Sequence, residues 1–486
     1  MDSNSSARKV FSGLFWVYLE NIAAQLVNFI VSIILARLLA PNDYGTIALV
    51  NVFINIANVF VTSSFSYSLI QKKDADDLDY SSMFWFSLIV AVFLYGALFF
   101  ASPGISRFYD KAELILILRV LALRIPLSAY NSIQTAYVSS HMVFKKSFIS
   151  NSGGALLSGL FGIALAFLGF GIWALVAQSI LNILFNTVIL MLVVKWRPKR
   201  IFSLERLKPL VKYGWKLLAT GLMFTGYTEL RSLVIGKRYS ADDLGYYDRG
   251  YSFPRLIASN IDSTINRVLF PSLSQKQDDP NRLLEMTRRA AKTSAYLMTP
   301  LLFGLAIVAE PLVLFLLGEK WLPCVPYLQI LSLVWWLQPT QTCAAQAIKA
   351  IGKSGVYLTI EIISKICGLL LLAGAVFIAN SVHAIAMSML IGQIIAVVIY
   401  GLHVSKYIGY RFTDQLKDIL VPALIGGIMC LPLFFLPRII QSTFLCLIAQ
   451  VLVGGTIYVG LSYVLKIEEF KYLLGLLKNR VRRKGE

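Results

Sequence analysis

The sequence predicts an all-α polytopic membrane protein: about 14 transmembrane helices in two parallel-repeat six-helix lobes around a central cavity, plus a terminal helix pair. Three observations carry this. Of 486 residues, 57% are hydrophobic and 15% charged, whereas a water-soluble chain carries about 25% charged residues. The apolar residues fall in successive bilayer-length runs along the whole chain, and two stretches about 200 residues apart resemble each other. A soluble enzyme with a single anchor is excluded, because the apolar surplus is not confined to one end.

A span needs about 20 mostly apolar residues. That criterion places helices near 11–36, 44–70, 82–102, 114–138, 149–169, 172–194, 212–236, 253–274, 294–317, 325–348, 356–379, 383–404, 415–436 and 441–464. Lipid leaves no partner for a free backbone amide, so such runs are helices, and they are too long for barrel strands. The polar start MDSNSSARKV precedes a run with no A-x-A cleavage pattern, so the first run is expected to remain as a span.

Orientation follows from Lys and Arg in alternate loops. With the N-terminus inside, 31 fall on the cytoplasmic side and 8 on the other, which puts both ends in the cytoplasm. The formal net charge of +19 then belongs to loops such as KWRPKR (195–200) facing anionic lipid headgroups, not to nucleic acid.

The two similar stretches run from Gly13 to Gly45 and from Gly214 to Gly245. Gly13 matches Gly214, Arg37 matches Arg238, and Asp43-x-Gly45 matches Asp243-x-Gly245; a weaker match sets Pro126 and Gln134 against Pro339 and Gln346. Six spans separate the two starts, so the copies share one orientation. The expected organisation is an N-terminal lobe at 1–194, a basic cytoplasmic linker at 195–212 and a C-terminal lobe at 213–404. An extra helix pair at 405–464 and a basic cytoplasmic tail at 465–486 follow. In the turn at 37–45, Arg37 snorkels, Pro41 and Asp43 suit a tight bend, and Gly45 lets the next helix approach; a gate latch is the second reading.

Polar residues recur inside the spans at helical spacing. The sets are Asn21, Gln25, Asn28 and Ser32; Asn51, Asn55, Asn58 and Thr62; Arg124, Ser128, Asn131 and Thr135. Further sets are Gln178, Asn182 and Asn186; Thr225, Glu229 and Ser232; and Arg255, Ser259, Asp262 and Asn266, with Arg267 on an adjacent face. Helix–helix hydrogen bonding explains one such stripe. Five or six striped helices point instead to a wet cavity, and amides that both donate and accept suit sugar hydroxyls.

The intramembrane cations are Arg119, Arg124, Arg231, Arg255, Arg267 and Lys365; the acids are Glu20, Glu229, Asp262, Glu310 and Glu361. Ionisable groups at this depth are functional hypotheses. Arg124 and Arg267 fall mid-span, one in each lobe, and guanidinium binds phosphate bidentately. Arg255 and Lys365 join them as pyrophosphate candidates, although Arg119, Arg231 and Arg255 lie near enough to an interface to snorkel. Pairing of the arginines with Glu20 or Asp262 is the plain alternative.

Weaker signals are the tyrosines of a loop at Gly245–Ser252, which could hold sugar rings but suit an aromatic belt, and Trp335 and Trp336, read as packing. Gly154, Ser158 and Gly162 have helix-packing spacing, and prolines 126, 254, 271, 300, 311 and 339 are candidate hinges. Five cysteines and three histidines show neither CxxC nor metal-ligand spacing, and there is no P-loop or triad. No cofactor, metal or catalytic group is expected.

LARLLAPNDYG at 35–45, RYSADDLGYYDRG at 238–250, NRVLFPSLSQ at 266–275 and PTQTCAAQAIKAIGK at 339–353 resemble the polysaccharide-export flippases of the multidrug/oligosaccharidyl-lipid/polysaccharide exporter superfamily. The resemblance covers about residues 8–400. It implies two lobes around an alternately opening cavity, and a substrate of undecaprenyl-pyrophosphate-linked oligosaccharide moved to the periplasmic leaflet. It also implies a lipopolysaccharide, exopolysaccharide or teichuronic-type pathway, with a polymerase and glycosyltransferases as further partners. On this reading Arg124, Arg267, Arg255 and Lys365 hold pyrophosphate. The amides Asn21, Gln25, Asn28, Asn51, Asn55, Asn58, Asn131, Gln178 and Asn182 hold glycan, and Glu20, Glu229 and Asp262 are the ion-coupling candidates. The alternative is a multidrug or small-cation antiporter built on a cavity carboxylate. A polytopic glycosyltransferase or polymerase is disfavoured by the short outer loops.

Overall fold

The computed structural model describes residues 23–482 apart from Ser64, Lys73 and Gln277. Glu20 and Asn21 therefore lie outside the described residues. Every regular element among those described is helical, and the chain divides into two compact units, Met1–Gly245 and Tyr246–Glu486.

The first unit contains α1 (Ala23–Leu38), α2 (Pro41–Asn58), α3 (Phe65–Gln71), α4 (Asp77–Tyr109), α5 (Leu114–Leu121), α6 (Arg124–Ser140), α7 (Phe144–Phe167), α8 (Ile172–Val193), α9 (Leu204–Arg238) and the first turn of α10 (Ala241–Ser274). The remainder of α10 opens the second unit. It is followed by α11 (Pro280–Ile307), α12 (Ala309–Leu316), α13 (Val325–Ala350), α14 (Ser354–Gly374), α15 (Val382–Ile408), α16 (Phe412–Ile439), α17 (Thr443–Val464) and α18 (Glu468–Arg482).

Among the described residues, ten helical segments are long and apolar enough to cross a membrane. This is a multi-pass membrane protein. Outside those ten stand α1, at the edge of the described region, and α9, α10 and α13. These three have 35, 34 and 26 residues, long enough to span but diluted by polar side chains. The apolar surface turned outward fits lipid: Phe100 on α4 is 81% exposed and Ile378 is 88% exposed, which water would not tolerate on so many helices.

Helix packing explains several sequence features. On α7, a Cβ added at Gly154 would lie 3.1 Å from the Asn182 carbonyl oxygen, and one at Gly162 would lie 2.7 Å from the Gln178 Cβ, so the small residues seat α8. The six prolines do not act alike. Pro254, Pro271, Pro300 and Pro339 sit inside continuous helices. Pro126 and Pro311 stand in the first turns of α6 and α12, where no intrahelical N–H bond is lost.

At the repeated turn two backbones approach closely. A Cβ on Gly45 would fall 1.7 Å from the Ala241 carbonyl oxygen, and one on Gly245 would fall 2.3 Å from that of Pro41. The contact is reciprocal between equivalent positions, and only glycine leaves room for it. Both copies are capped alike: Asp43 Oδ2 accepts the Ala40 N–H at 3.1 Å, and Asp243 Oδ2 accepts the Ser240 N–H at 3.1 Å. The tyrosine segment expected as an outer loop at 245–252 is helix, the opening turns of α10, because this cap starts the helix at Ala241.

The basic linker is strapped to α4. Trp196 is buried among Tyr80, Tyr137 and their neighbours. Lys199 Nζ pairs with Asp77 at 2.5 Å, and the Lys199 carbonyl accepts the Trp85 indole N–H at 2.8 Å. The α4 N-cap, Asp76, is held below the ordinary carboxylate range chiefly by the Asp79 backbone N–H that donates to it. Of the KWRPKR cations proposed to meet lipid, Lys199 is thus engaged with protein, while Lys195 and Arg200 remain exposed.

Candidate functional site

In the first unit the stripes of α2, α6 and α9 come together. A break at Ala122–Leu123 ends α5 and makes Arg124 the opening residue of α6. Its Nη1 donates to Asn51 Oδ1 at 3.2 Å, its Nε is buried without an acceptor, and no described carboxylate pairs with it. One turn along α2, Asn55 Nδ2 donates to Glu229 Oε1 at 2.9 Å. The side-chain oxygens of Asn58 and Asn131 are buried and receive no donor. Native interiors leave few such groups unpaired. Here a cation with no carboxylate partner among the described residues and amide oxygens without donors belong to one cluster of stripes, which is what a polar anionic ligand would satisfy.

The second unit carries a different polar face on α10, α13 and α15. Asp262 Oδ1 is buried and receives no donor, with Thr342 and Gln338 as its polar neighbours. Gln393 Nε2 donates to Gln341 Oε1 at 2.8 Å and to Gln338 Oε1 at 3.3 Å. Gln346 Nε2 donates to Asn266 Oδ1. Arg255 and Arg267 are exposed; the Arg255 guanidinium lies over the Tyr251 ring, and no described carboxylate forms an ion pair with Arg267.

Other sequence-predicted residues have different occupations. Lys365 is not a free cation: it pairs with Glu361 at 3.9 Å one turn back on α14, and Glu361 also accepts the Tyr400 hydroxyl at 2.5 Å. Asn182 donates to Ser158 at 3.2 Å and Asn186 donates to Asn151, so the α8 stripe holds α8 to α7, with Gln178 packed on Gly162. Arg119 is satisfied by Ser102 at 2.9 Å and the Phe99 carbonyl at 3.3 Å. Gln25 is engaged, and Asn28 is exposed on α1. Among the described residues no group of His, Cys, Asp and Glu could hold a metal ion.

Sequence reading missed the α13 stripe Gln338, Thr342 and Gln346. Its i, i+4, i+8 spacing was a usable signal, masked by the apolar residues around it. Gln393 and Tyr400, single polar groups in an apolar helix, gave none.

A family model described as polysaccharide biosynthesis protein matches residues 34–326. The succinoglycan biosynthesis transport protein ExoT of Rhizobium meliloti (strain 1021) is 26% identical over 337 residues, 68% of this chain and 67% of its own. The teichuronic acid biosynthesis protein TuaB of Bacillus subtilis (strain 168) is 24% identical over 441 residues, 87% of this chain and 88% of its own. Among solved structures, the lipid II flippase MurJ in an inward closed conformation matches with a TM-score of 0.75 at 16% identity. That match covers 94% of this chain and 98% of that one, a likeness of fold.

Proposed function

The chain belongs to the polysaccharide biosynthesis protein family, and on that premise we propose that it is a flippase for undecaprenyl-pyrophosphate-linked oligosaccharide repeat units. It moves them from the cytoplasmic to the periplasmic leaflet of the inner membrane, with both termini in the cytoplasm. The names of ExoT, TuaB and MurJ support this assignment of class. The observation that carries it is Arg124, an intramembrane guanidinium whose only side-chain partner among the described residues is an amide.

The physical task is to bring a sugar and a charged linker past hydrocarbon. Each unpaired hydroxyl costs a few kcal/mol there, and the ionised phosphates far more. Arg124 offers the pyrophosphate a donor held by Asn51, while Asn51, Asn55, Asn58 and Asn131 serve the sugar; Arg267 is a second pyrophosphate candidate. The polyprenyl tail stays in lipid, and alternating access exposes the polar faces to one leaflet and then the other. Glycosyltransferases make the substrate and a polymerase consumes it.

Deleting the gene should leave polyprenyl-linked glycan in the cytoplasmic leaflet. Wild type should clear it, and the R124A/R267A double variant at matched expression should not. No accumulation in the deletion strain would sink the function; full export by the double variant would remove the arginines from it.

A second reading, a drug or small-cation antiporter, is favoured by the buried, unpartnered Asp262 oxygen. Proton flux coupled to a cationic drug in proteoliposomes, abolished by D262N, would decide for it.

A further inference from the structure

The aromatic residues where α10 and α13 meet have no task in the function proposed above. Tyr251 and Arg255 follow each other one turn apart on α10. Trp335 approaches Tyr251 from α13, with ring centroids 5.7 Å apart and planes inclined by 55°. The Arg255 guanidinium carbon stands 5.7 Å from the Tyr251 centroid.

The two neighbouring tryptophans differ in kind. Trp336 is a packing residue: its indole N–H donates to Thr299 at 3.0 Å, and its ring lies 5.0 Å from that of Phe303. Trp335 Nε1 is buried, yet it meets no acceptor. Buried tryptophan normally finds a partner for this group, and leaving it bare forfeits the bond that its desolvation requires.

One turn further along α13 stands Gln338, braced by Gln393 of α15. Beside it, on α10, is Asp262 with its own unpartnered oxygen. Two helices of one unit therefore present, in sequence, two aromatic rings, an unused donor, an amide and an unused acceptor. A pyranose offers the complement. Its C–H face stacks on an aromatic ring, and its hydroxyls both donate and accept. Simple packing would fill such a place with groups that satisfy one another, as Trp336 and Thr299 do.

We infer that this face of α10 and α13 is a sugar subsite, with pyranose rings of the glycan stacking at Tyr251 and Trp335. The Trp335 indole N–H donates to one hydroxyl, and Asp262 accepts from another. The inference rests on the flippase function and assigns the side chains that recognise the glycan, as distinct from the arginines that hold its linker. The charge of Arg255 over Tyr251 keeps that ring in place.

The test uses the full chain in lipid nanodiscs, with binding measured by native mass spectrometry. The probes are undecaprenyl pyrophosphate carrying one glucose or one galactose, and bare undecaprenyl pyrophosphate. Wild type should bind at least one hexosyl lipid more tightly than the bare one. W335F keeps a ring and loses only the N–H, whereas Y251A removes the platform. Each should weaken hexosyl-lipid binding by about fivefold and leave the bare lipid unchanged. W336F should keep the preference for sugar. Circular dichroism and gel filtration exclude misfolded variants, and D262N, nearly isosteric, provides a further substitution expected to lose the preference.

Equal losses on bare and hexosyl lipids would overturn the inference, and so would a preference untouched in W335F, Y251A and D262N alike. Absence of a sugar preference in wild type would overturn it too. If wild type bound none of the lipids, the flippase function itself would fall.

Discussion

Arg124 sits in a position that folding alone would not select. It is half-buried, with its Nε lacking an acceptor and no counter-charge among the described residues. One amide at 3.2 Å does not replace the hydration its guanidinium loses, a deficit that costs several kcal/mol. The same deficit makes it a strong partner for an arriving anion. The R124A variant should therefore export at least about tenfold less, the worth of a charge-assisted hydrogen bond, while its thermal midpoint in detergent holds or rises. R124K keeps the charge but loses the fork geometry and should fall between. Scanning fluorimetry beside an export assay checks both. A lowered midpoint with unchanged export would make Arg124 a structural residue.

At the scale of elements, two packing devices invite tests. The reciprocal approach of Gly45 and Gly245 leaves no space for a methyl group, so G45A and G245A should each cost about 1–3 kcal/mol. Gly96→Ala on α4, where nothing lies within 4 Å, should be neutral or stabilising by up to about 1 kcal/mol. Similar unfolding midpoints for all three variants would refute the close-packing account. The second device docks α18. Lys292 on α11 binds Glu468 and Glu469 at 2.9 Å each, and Arg289 lies 3.8 Å from the Tyr472 ring centroid. K292A should raise the undocked population of α18 by about two- to fivefold, seen as faster proteolysis after residue 466. The Lys292 ammonium holds the Glu468 carboxyl below its ordinary value of 4.5. Its contribution to docking is therefore complete above that value and is lost as pH falls through the lowered one. Acid should loosen α18 in wild type and change little in K292A.

For the whole molecule, the charge asymmetry of 31 to 8 makes a topological prediction. A fluorescent protein fused after Glu486 should glow, as it does only on the cytoplasmic side, and single cysteines near Asp110 and Lys320 should be labelled from outside. Labelling of those sites only after permeabilisation would reverse the orientation. The duplication and the compact units are also different objects. The copy that begins near Gly214 opens with α9, yet α9 packs in the first unit, through Asn55 on Glu229, Lys237 on Asp110 and Leu49 on Gly236. The lobe boundary at 213 remains a proposal about ancestry; the packing boundary follows Gly245.

The sequence by itself determined that the chain is helical and crosses a membrane many times, because apolar run length is a local property that lipid reads directly. It also marked the repeated Asp-x-Gly turn and most of the helices, to within a few residues of their ends. Tertiary structure decided which polar stripes are glue and which are left unsatisfied. Asn182 and Asn131 look alike in one dimension, but one donates to Ser158 on a neighbouring helix and the other keeps a buried side-chain oxygen that receives no donor. It also took Lys365 out of the set of free cations by pairing it with Glu361, and gave Trp335 and Trp336 opposite characters. Periodicity says that a helix has a polar face; only packing says what that face meets.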